Sequence, residues 1–155
     1  MRVLICGGRN FLDRNAAFDI LDRLHDENLD DDPITCVIQG DAKGADRIGE
    51  EWAKDMGIPV ETYPARWEDL TQPGAKIKTR PDGSQYDAAE GSRRNTRMLD
   101  EGYPDFIVAL PGGWGTFNML CQATERDIHI FNVPYKGRPR NDQWRKWLEN
   151  YRLQH

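Results

Sequence analysis

Three glycine-rich segments are the part of this sequence best suited to chemistry, and each lies between an apolar run and a helical pattern. They are Gly7-Gly8-Arg9, Gly40-Asp41-Ala42-Lys43-Gly44-Ala45-Asp46 and Pro111-Gly112-Gly113-Trp114-Gly115-Thr116. A helix N-terminus leaves four N–H groups without intrahelical partners and carries partial positive charge. Glycine lets an anion approach that backbone closely, so these turns predict a phosphate site. We expect the Thr116 hydroxyl to cap the following helix and to bond a phosphate oxygen.

The turns do not match two better-known phosphate motifs. The sequence has no Gly-Lys-Ser/Thr, which argues against a P-loop NTPase. The first turn also lacks the GxGxxG spacing of dinucleotide dehydrogenases, which argues against hydride transfer.

Composition and charge limit the classes of protein to consider. With 155 residues, 30% of them charged and 38% apolar, the chain has the size of one soluble domain. Its net charge of −5 makes nucleic-acid binding an unfavoured function, and no apolar run approaches the roughly 20 residues that span a bilayer. The N-terminus shows no signal peptide, so we expect a cytoplasmic protein. Cys6, Cys36 and Cys121 lack metal-binding spacing, and we predict neither a metal nor a cofactor.

Strand and helix patterns alternate along the chain and place the three turns at one edge of a sheet. Apolar runs predict strands at 2–6, 34–38, 59–63, 106–110 and 128–133, and helical spacing predicts helices between them. This alternation predicts a single Rossmann-like α/β domain over 1–155, in which helices cover both faces of a parallel sheet. Ligands bind such sheets at the carboxyl ends of the strands, where the turns lie.

Two segments fall outside this alternation. Residues 66–91 contain few large apolar residues and a Pro81-Asp82-Gly83 turn signal, which fits either a hairpin acting as a binding loop or a disordered insertion. In 141–155, Trp144, Trp147, Leu148 and Tyr151 predict an amphipathic terminal helix. That helix can pack on its own sheet or on a second subunit.

Four motifs resemble those of the SLOG superfamily, which includes the plant LOG phosphoribohydrolases and the DprA/Smf proteins. In chain order they are Cys6-Gly7-Gly8-Arg9, Gly40–Asp46, Arg94-Asn95 with Met98-Leu99, and Pro111–Thr116. The resemblance is strongest to the small YspA/YpsA-related branch of bacteria and phages, and it extends to about Val133. It implies a Rossmann-like fold, frequent dimerisation and a pocket for nucleotides or nucleotide-derived signals.

The resemblance also implies a catalytic pair. LOG-type enzymes cleave the N-glycosidic bond between a base and ribose 5′-monophosphate, using an arginine on the helix before the PGG strand and a glutamate three residues after the threonine of PGGxGTxxE. Arg94 matches the arginine, whereas Met119 occupies the glutamate position. Because methionine can neither transfer a proton nor stabilise a developing cation, the sequence argues against the LOG mechanism.

Other side chains near the turns can complete a site. Asp46 is the best substitute acid–base, although a carboxylate in a first helical turn also simply stabilises the helix; Asp41 and Glu90 are alternatives. Arginine suits phosphate because its planar fork bonds two oxygens, and the candidates are Arg9 and Arg94, the latter in a cluster with Arg93 and Arg97. Trp67 and Trp114 can stack on a base or pack against neighbouring loops.

Two principal hypotheses follow. The first is a binding or sensor protein for a phosphate-bearing nucleotide or nucleotide-derived small molecule, acting as a homodimer. The second is a nucleotide hydrolase acting on an N-glycosidic bond, with Arg94 and Asp46 as catalytic residues. A DprA-like DNA-handling protein is a third, disfavoured by the negative charge. The predicted ligand-binding residues are Gly7, Gly8, Arg9, Gly40, Asp41, Ala42, Gly44, Ala45, Asp46, Arg94, Asn95, Pro111, Gly112, Gly113, Trp114, Gly115 and Thr116.

Overall fold

The computed structural model describes residues 1–133, and the terminal helix predicted for 141–155 lies outside them. Within 1–133 the elements are β1 (Arg2–Cys6), α1 (Arg14–Glu27), β2 (Cys36–Gln39), α2 (Ala45–Met56), β3 (Val60–Thr62), β4 (Ile77–Thr79), β5 (Gln85–Asp87), α3 (Glu90–Asp100), β6 (Phe106–Ala109), α4 (Trp114–Glu125) and β7 (His129–Asn132). None of the helices in this part of the chain has the length and apolar character needed to cross a membrane.

Five of the strands form one parallel sheet in the order β3-β2-β1-β6-β7. The register pairs Leu4 with Ile38 on one side and with Ile107 on the other. Chain order runs outward from β1 in both directions, which is the doubly wound arrangement of Rossmann-like folds. The predicted fold class, a parallel sheet with helices on both faces, is confirmed.

Two apolar layers hold the helices against the sheet. Alternate residues of β1 point to opposite faces, as the two-residue period of a strand requires. Val3 and Ile5 pack with α1 and α2, in the layer that contains Leu21 and Trp52. Leu4 and Cys6 pack on the other face, in a layer that includes residues of α3 and α4. Because both faces are covered, the central strands β1 and β6 are near-continuous apolar runs.

The segment between β3 and α3 contains a hairpin, one of the two forms expected for it. Strands β4 and β5 pair antiparallel, with Thr79 opposite Gln85, and the tip carries Gly83 at φ +87°. Helix α3 begins at Glu90, inside the predicted 66–91 insertion, so residues 66–89 are called the inserted segment below.

Candidate functional site

A cavity of about 350 Å³ opens between the carboxyl ends of β1 and β6. These neighbouring strands continue to opposite faces of the sheet, β1 to α1 and β6 to α4, which makes the cavity the topological switch point where doubly wound sheets bind ligands. We call it the switch-point cavity. Its lining residues are Cys6, Gly7, Gly8, Arg9, Ala42, Asp46, Trp67, Gly91, Arg94, Asn95, Met98, Gly113, Trp114, Gly115 and Thr116.

Backbone contacts join the three glycine turns beneath this cavity. The Gly8 N–H donates to the Pro111 carbonyl at 2.8 Å, and the Ala45 N–H donates to the Gly8 carbonyl at 3.2 Å. Gly44 has a φ of +78°, and a Cβ there would collide with the carbonyl oxygens of Gly8 and Arg9. Glycine is therefore required at this position both for its backbone conformation and for the close approach of the first two turns.

The N-terminus of α4 forms one wall of the cavity. Gly113 is the N-cap and supplies no side-chain hydrogen bond, so the expectation that Thr116 caps the helix is wrong: the helix begins at Trp114, and Thr116 is its third residue. The N–H groups of Trp114, Gly115 and Thr116 form no hydrogen bond with residues 1–133, as expected for a first helical turn. The Thr116 hydroxyl likewise makes no hydrogen bond with residues 1–133, and it is not among the fully buried unpaired atoms of this range. These groups are free to donate to an anion.

Arg94 reaches the cavity from α3 in a fixed position. One terminal nitrogen donates to the Gly40 carbonyl at 2.5 Å, and Nε donates to Asn95 Oδ1 at 3.2 Å. Among the described residues it forms no ion pair. Burial lowers the pKa of Arg94, an effect that the neighbouring carboxylate of Asp46 partly opposes. A buried guanidinium without a paired carboxylate favours binding of an anion.

Asp46 belongs to the second glycine-rich segment, where helix α2 begins, and it is 6% exposed. Its Oδ2 accepts hydrogen bonds from the backbone N–H groups of Gly40 at 3.0 Å and Ala42 at 3.2 Å. Burial raises its pKa, although these hydrogen bonds and the charge of Arg94 act in the other direction. Asp46 thus holds the second turn in shape and also faces the cavity.

Glu90, the alternative acid–base, is fully buried away from the cavity lining. Its carboxylate pairs with Arg93 at 2.5 Å and with Arg97 at 2.6 Å, and it accepts from the Arg66 N–H at 3.2 Å. Burial alone would raise its pKa, but the hydrogen bonds, first that from Arg97, outweigh this effect and lower it. A carboxylate so paired is a poor proton donor, and the acid–base interpretation of Glu90 is wrong.

The same contacts correct the expected basic cluster. Arg93 also pairs with the buried Asp87 at 2.9 Å, and Arg97 donates to the Pro64 carbonyl at 3.3 Å. Of the three neighbouring arginines on α3, Arg94 is the one that lines the cavity.

Met119 is a core residue at 1% exposure, packed in the layer that contains Leu4 and Met98. It is not among the residues that line the cavity. The position that carries the glutamate in LOG-type enzymes is therefore filled here by a side chain that stabilises the packing of α4.

Some of the remaining predicted residues line the cavity, and the others hold the glycine turns in place behind it. Asn95 joins α3 to α4, since its Nδ2 donates to the Gly115 carbonyl and to Asn118 Oδ1, both at 3.1 Å. Six predicted residues shape the turns without lining the cavity: Gly40, Asp41, Gly44, Ala45, Pro111 and Gly112.

Sequence reasoning missed three lining residues, Cys6, Gly91 and Met98. Cys6 directly precedes the first turn, and Met98 follows Arg94 by four residues on the same helix face, so both had a positional signal. Gly91 had none.

The two candidate aromatic residues differ in placement. Trp67 is half-buried and lines the cavity, with the Arg9 guanidinium 5.6 Å from the centre of its ring. Trp114 also lines the cavity, but it is 79% exposed and meets Phe117 edge-on, with ring centres 5.3 Å apart.

Comparison with known proteins gives one family and two relatives. Residues 1–69 match the family described as the YspA, cpYpsA-related SLOG family (YAcAr). Gene 61 protein of Mycobacterium phage D29 is 30% identical over 139 residues, which cover 84% of this chain and 94% of the phage protein. DNA processing protein A (DprA) from Streptococcus pneumoniae superposes with a TM-score of 0.64 at 15% identity. That match covers 96% of this chain but 56% of the DprA chain, and it shows a shared fold.

Proposed function

Because the chain belongs to the YspA, cpYpsA-related SLOG family, we propose that it binds a phosphate-bearing nucleotide or nucleotide-derived ligand in the switch-point cavity, as a binding protein or sensor. Family membership indicates nucleotide-related binding or processing in general. The finer proposal rests on the site itself.

The observation that carries this proposal is the convergence of free donors on one cavity. The first turn of α4 presents unpaired N–H groups, the Thr116 hydroxyl has no partner among the described residues, and Arg94 faces the same space. Backbone N–H groups at a helix N-terminus together with an arginine are the donors that bind phosphate most strongly in proteins.

The charges of the cavity agree with an anionic ligand. Arg9 and Arg94 contribute two positive charges, whereas Asp46 is the carboxylate among the lining residues. A phosphate near the α4 N-terminus therefore offsets the net positive charge of these side chains, in a site partly shielded from water.

Ligand binding is tested first on the protein as purified. We expect mass spectrometry of denatured protein to find a released phosphate-bearing compound, or ribose 5-phosphate and nucleoside 5′-monophosphates at millimolar concentration to raise the melting temperature. The proposal is wrong if no such compound co-purifies and none of these probes shifts the melting temperature.

Gly113 gives a direct test of where the phosphate lies. A Cβ built at Gly113 meets no atom within 4 Å, so Gly113→Val adds bulk at the cavity wall while the fold has room for it. We expect Gly113→Val to abolish binding and Gly113→Ala to weaken it less. Unchanged affinity in Gly113→Val would show that the phosphate lies elsewhere.

A second candidate function is hydrolysis of the N-glycosidic bond of a nucleotide. The observation that favours it is Asp46, a carboxylate with a raised pKa that faces the same cavity as Arg94; such groups serve as general acids. Release of free base from a bound nucleotide, abolished in both Asp46→Asn and Arg94→Ala, would support it. Binding without turnover would leave the binding-protein proposal.

A further inference from the structure

The inserted segment brings one aromatic side chain, Trp67, to the switch-point cavity. The opposite wall is the first turn of α4, with its backbone groups, the Thr116 hydroxyl and the largely exposed Trp114. Phosphate donors and an aromatic ring thus share one space of about 350 Å³, the lower part of the size range for small-molecule sites.

The position of Trp67 is fixed by its backbone. Its carbonyl accepts from the Asp87 N–H at 2.9 Å, which ties it to β5. The preceding Arg66 N–H donates to the Glu90 carboxylate at 3.2 Å, which ties it to α3. Glu90 is itself held by Arg93 and Arg97, so the buried ion pairs fix the place of Trp67.

The indole ring is also placed by its neighbours. It contacts Tyr86 edge-on at 6.4 Å. At Gly91, a Cβ would lie 3.0 Å from the end of the ring, closer than nearly all real contacts of this kind. Glycine in the first turn of α3 therefore lets the ring lie against the helix at the cavity wall.

One face of the ring accepts a flat, delocalised group. The Arg9 guanidinium lies over it at 5.6 Å from the ring centre. This cation–π contact uses the same aromatic surface that binds nucleobases, because a guanidinium and a base are both planar and polarisable. Arg9 belongs to the first glycine turn. When a nucleobase takes the place of the Arg9 guanidinium on the Trp67 ring, the Arg9 side chain is free to reach the phosphate.

From this arrangement we infer that the inserted segment is the base-selecting wall of the switch-point cavity, with Trp67 as the surface on which the ligand's nucleobase stacks. The inference rests on the proposed function and narrows the ligand to compounds that carry an aromatic base as well as a phosphate. Sugar phosphates without a base occupy the phosphate part alone.

Calorimetric titration with ribose 5-phosphate and with the 5′-monophosphates of adenosine, guanosine, cytidine and uridine tests this assignment. In the wild type we expect at least one nucleotide to bind more tightly than ribose 5-phosphate. In Trp67→Leu that preference falls by roughly tenfold to a hundredfold, while ribose 5-phosphate affinity, which also reports that the cavity is folded, stays the same. Trp67→Phe restores most of the preference because it restores an aromatic face.

Phe18→Leu is the matched control, because Phe18 carries an arginine over its ring at 4.1 Å but lies on α1, outside the cavity lining. It leaves the preference unchanged. The assignment of Trp67 is overturned, and the proposed function kept, if nucleotides and ribose 5-phosphate bind the wild type equally or if Trp67→Leu weakens both equally. If none of the five probes binds the wild type, the proposed function and this inference both fail.

Discussion

Helix α3 carries arginines on two sides, and the two sides are built differently. Toward the inserted segment, Arg93 and Arg97 pair with Glu90, a carboxylate with 0% exposure. Toward the glycine turns, Arg94 bonds a carbonyl and an amide oxygen and, in the part of the chain that the structure describes, pairs with no carboxylate. On the first side the charges of Arg93, Arg97 and Glu90 are paired within the protein. On the second side the charge of Arg94 has no carboxylate partner among residues 1–133, and it lies beside the switch-point cavity.

The pKa values of Glu90 on the first side and Asp46 on the second are shifted in opposite directions. Hydrogen bonds from arginines lower the pKa of Glu90 despite its burial, whereas burial raises the pKa of Asp46 despite two backbone hydrogen bonds. Groups whose charge is satisfied within the protein stabilise the fold, and groups whose charge is only partly satisfied are those that a ligand can complete. This contrast separates a structural ion-pair cluster from a candidate site on one helix.

The largest expected effect is on stability, and it comes from removing the ion pairs of Glu90 with Arg93 and Arg97. Glu90→Ala removes the carboxylate that both arginines share, which leaves Arg97 without a carboxylate partner and Arg93 with Asp87 alone. We therefore expect a loss of about 3–5 kcal/mol in the free energy of unfolding, measured by urea denaturation. Asp100→Ala, which breaks the exposed pair with Arg126, is the control and costs less than about 1 kcal/mol. Equal losses in the two variants would contradict the distinction.

The next effect concerns the second side, that of Arg94, and appears in affinity. Arg94→Ala removes a charged donor to phosphate, a hydrogen bond of about 1.5–3 kcal/mol, so ribose 5-phosphate should bind roughly tenfold to a hundredfold more weakly. The free energy of unfolding should change much less than in Glu90→Ala. A variant that loses stability but keeps its affinity would place Arg94 with the structural arginines.

The sequence predicted the fold and the three turns because these depend on local patterns. Alternating strand and helix periods imply a parallel sheet. Gly40 and Gly113 lie between a strand and the helix that follows it, so this sheet brings both to its carboxyl edge. Spacing alone did not separate Arg94 from Arg93 and Arg97, because their partners are set by packing; the family resemblance singled out Arg94. Arg93 and Arg97 follow Glu90 by three and seven residues. This spacing places the three side chains on one helix face and favours ion pairing.

Other misses depended on where elements begin and on contacts between distant segments. Whether Thr116 caps α4 or lies in its first turn depends on a helix start that composition fixes only within a few residues. The approach of Trp67 to Gly91 joins the inserted segment to α3, and no local pattern encodes it.

A smaller effect should distinguish the two sides by pH. Glu90 has a folded pKa below its unfolded value of about 4.3, so its contribution is fully present above that value and is lost as the pH falls through the folded pKa. Glu90→Gln should therefore be less stable than the wild type at neutral pH, by less than Glu90→Ala. Urea denaturation at several pH values should show this gap closing below about pH 4. A gap independent of pH would mean that the charge of Glu90 is not what stabilises the cluster.

The smallest effect has the opposite sign and belongs to Asp46. Its folded pKa lies above the unfolded value of about 3.9, so the native state binds the proton more tightly and ionisation lowers stability as the pH rises between the two values. Asparagine resembles the protonated acid and keeps an oxygen for the Gly40 and Ala42 N–H groups. We therefore expect ligand-free Asp46→Asn to be slightly more stable than the wild type at neutral pH and equally stable near pH 3, in the same titration. A loss of stability at neutral pH would show that the ionised Asp46 acts as a structural carboxylate like Glu90, and the catalytic interpretation of Asp46 would lose its physical basis.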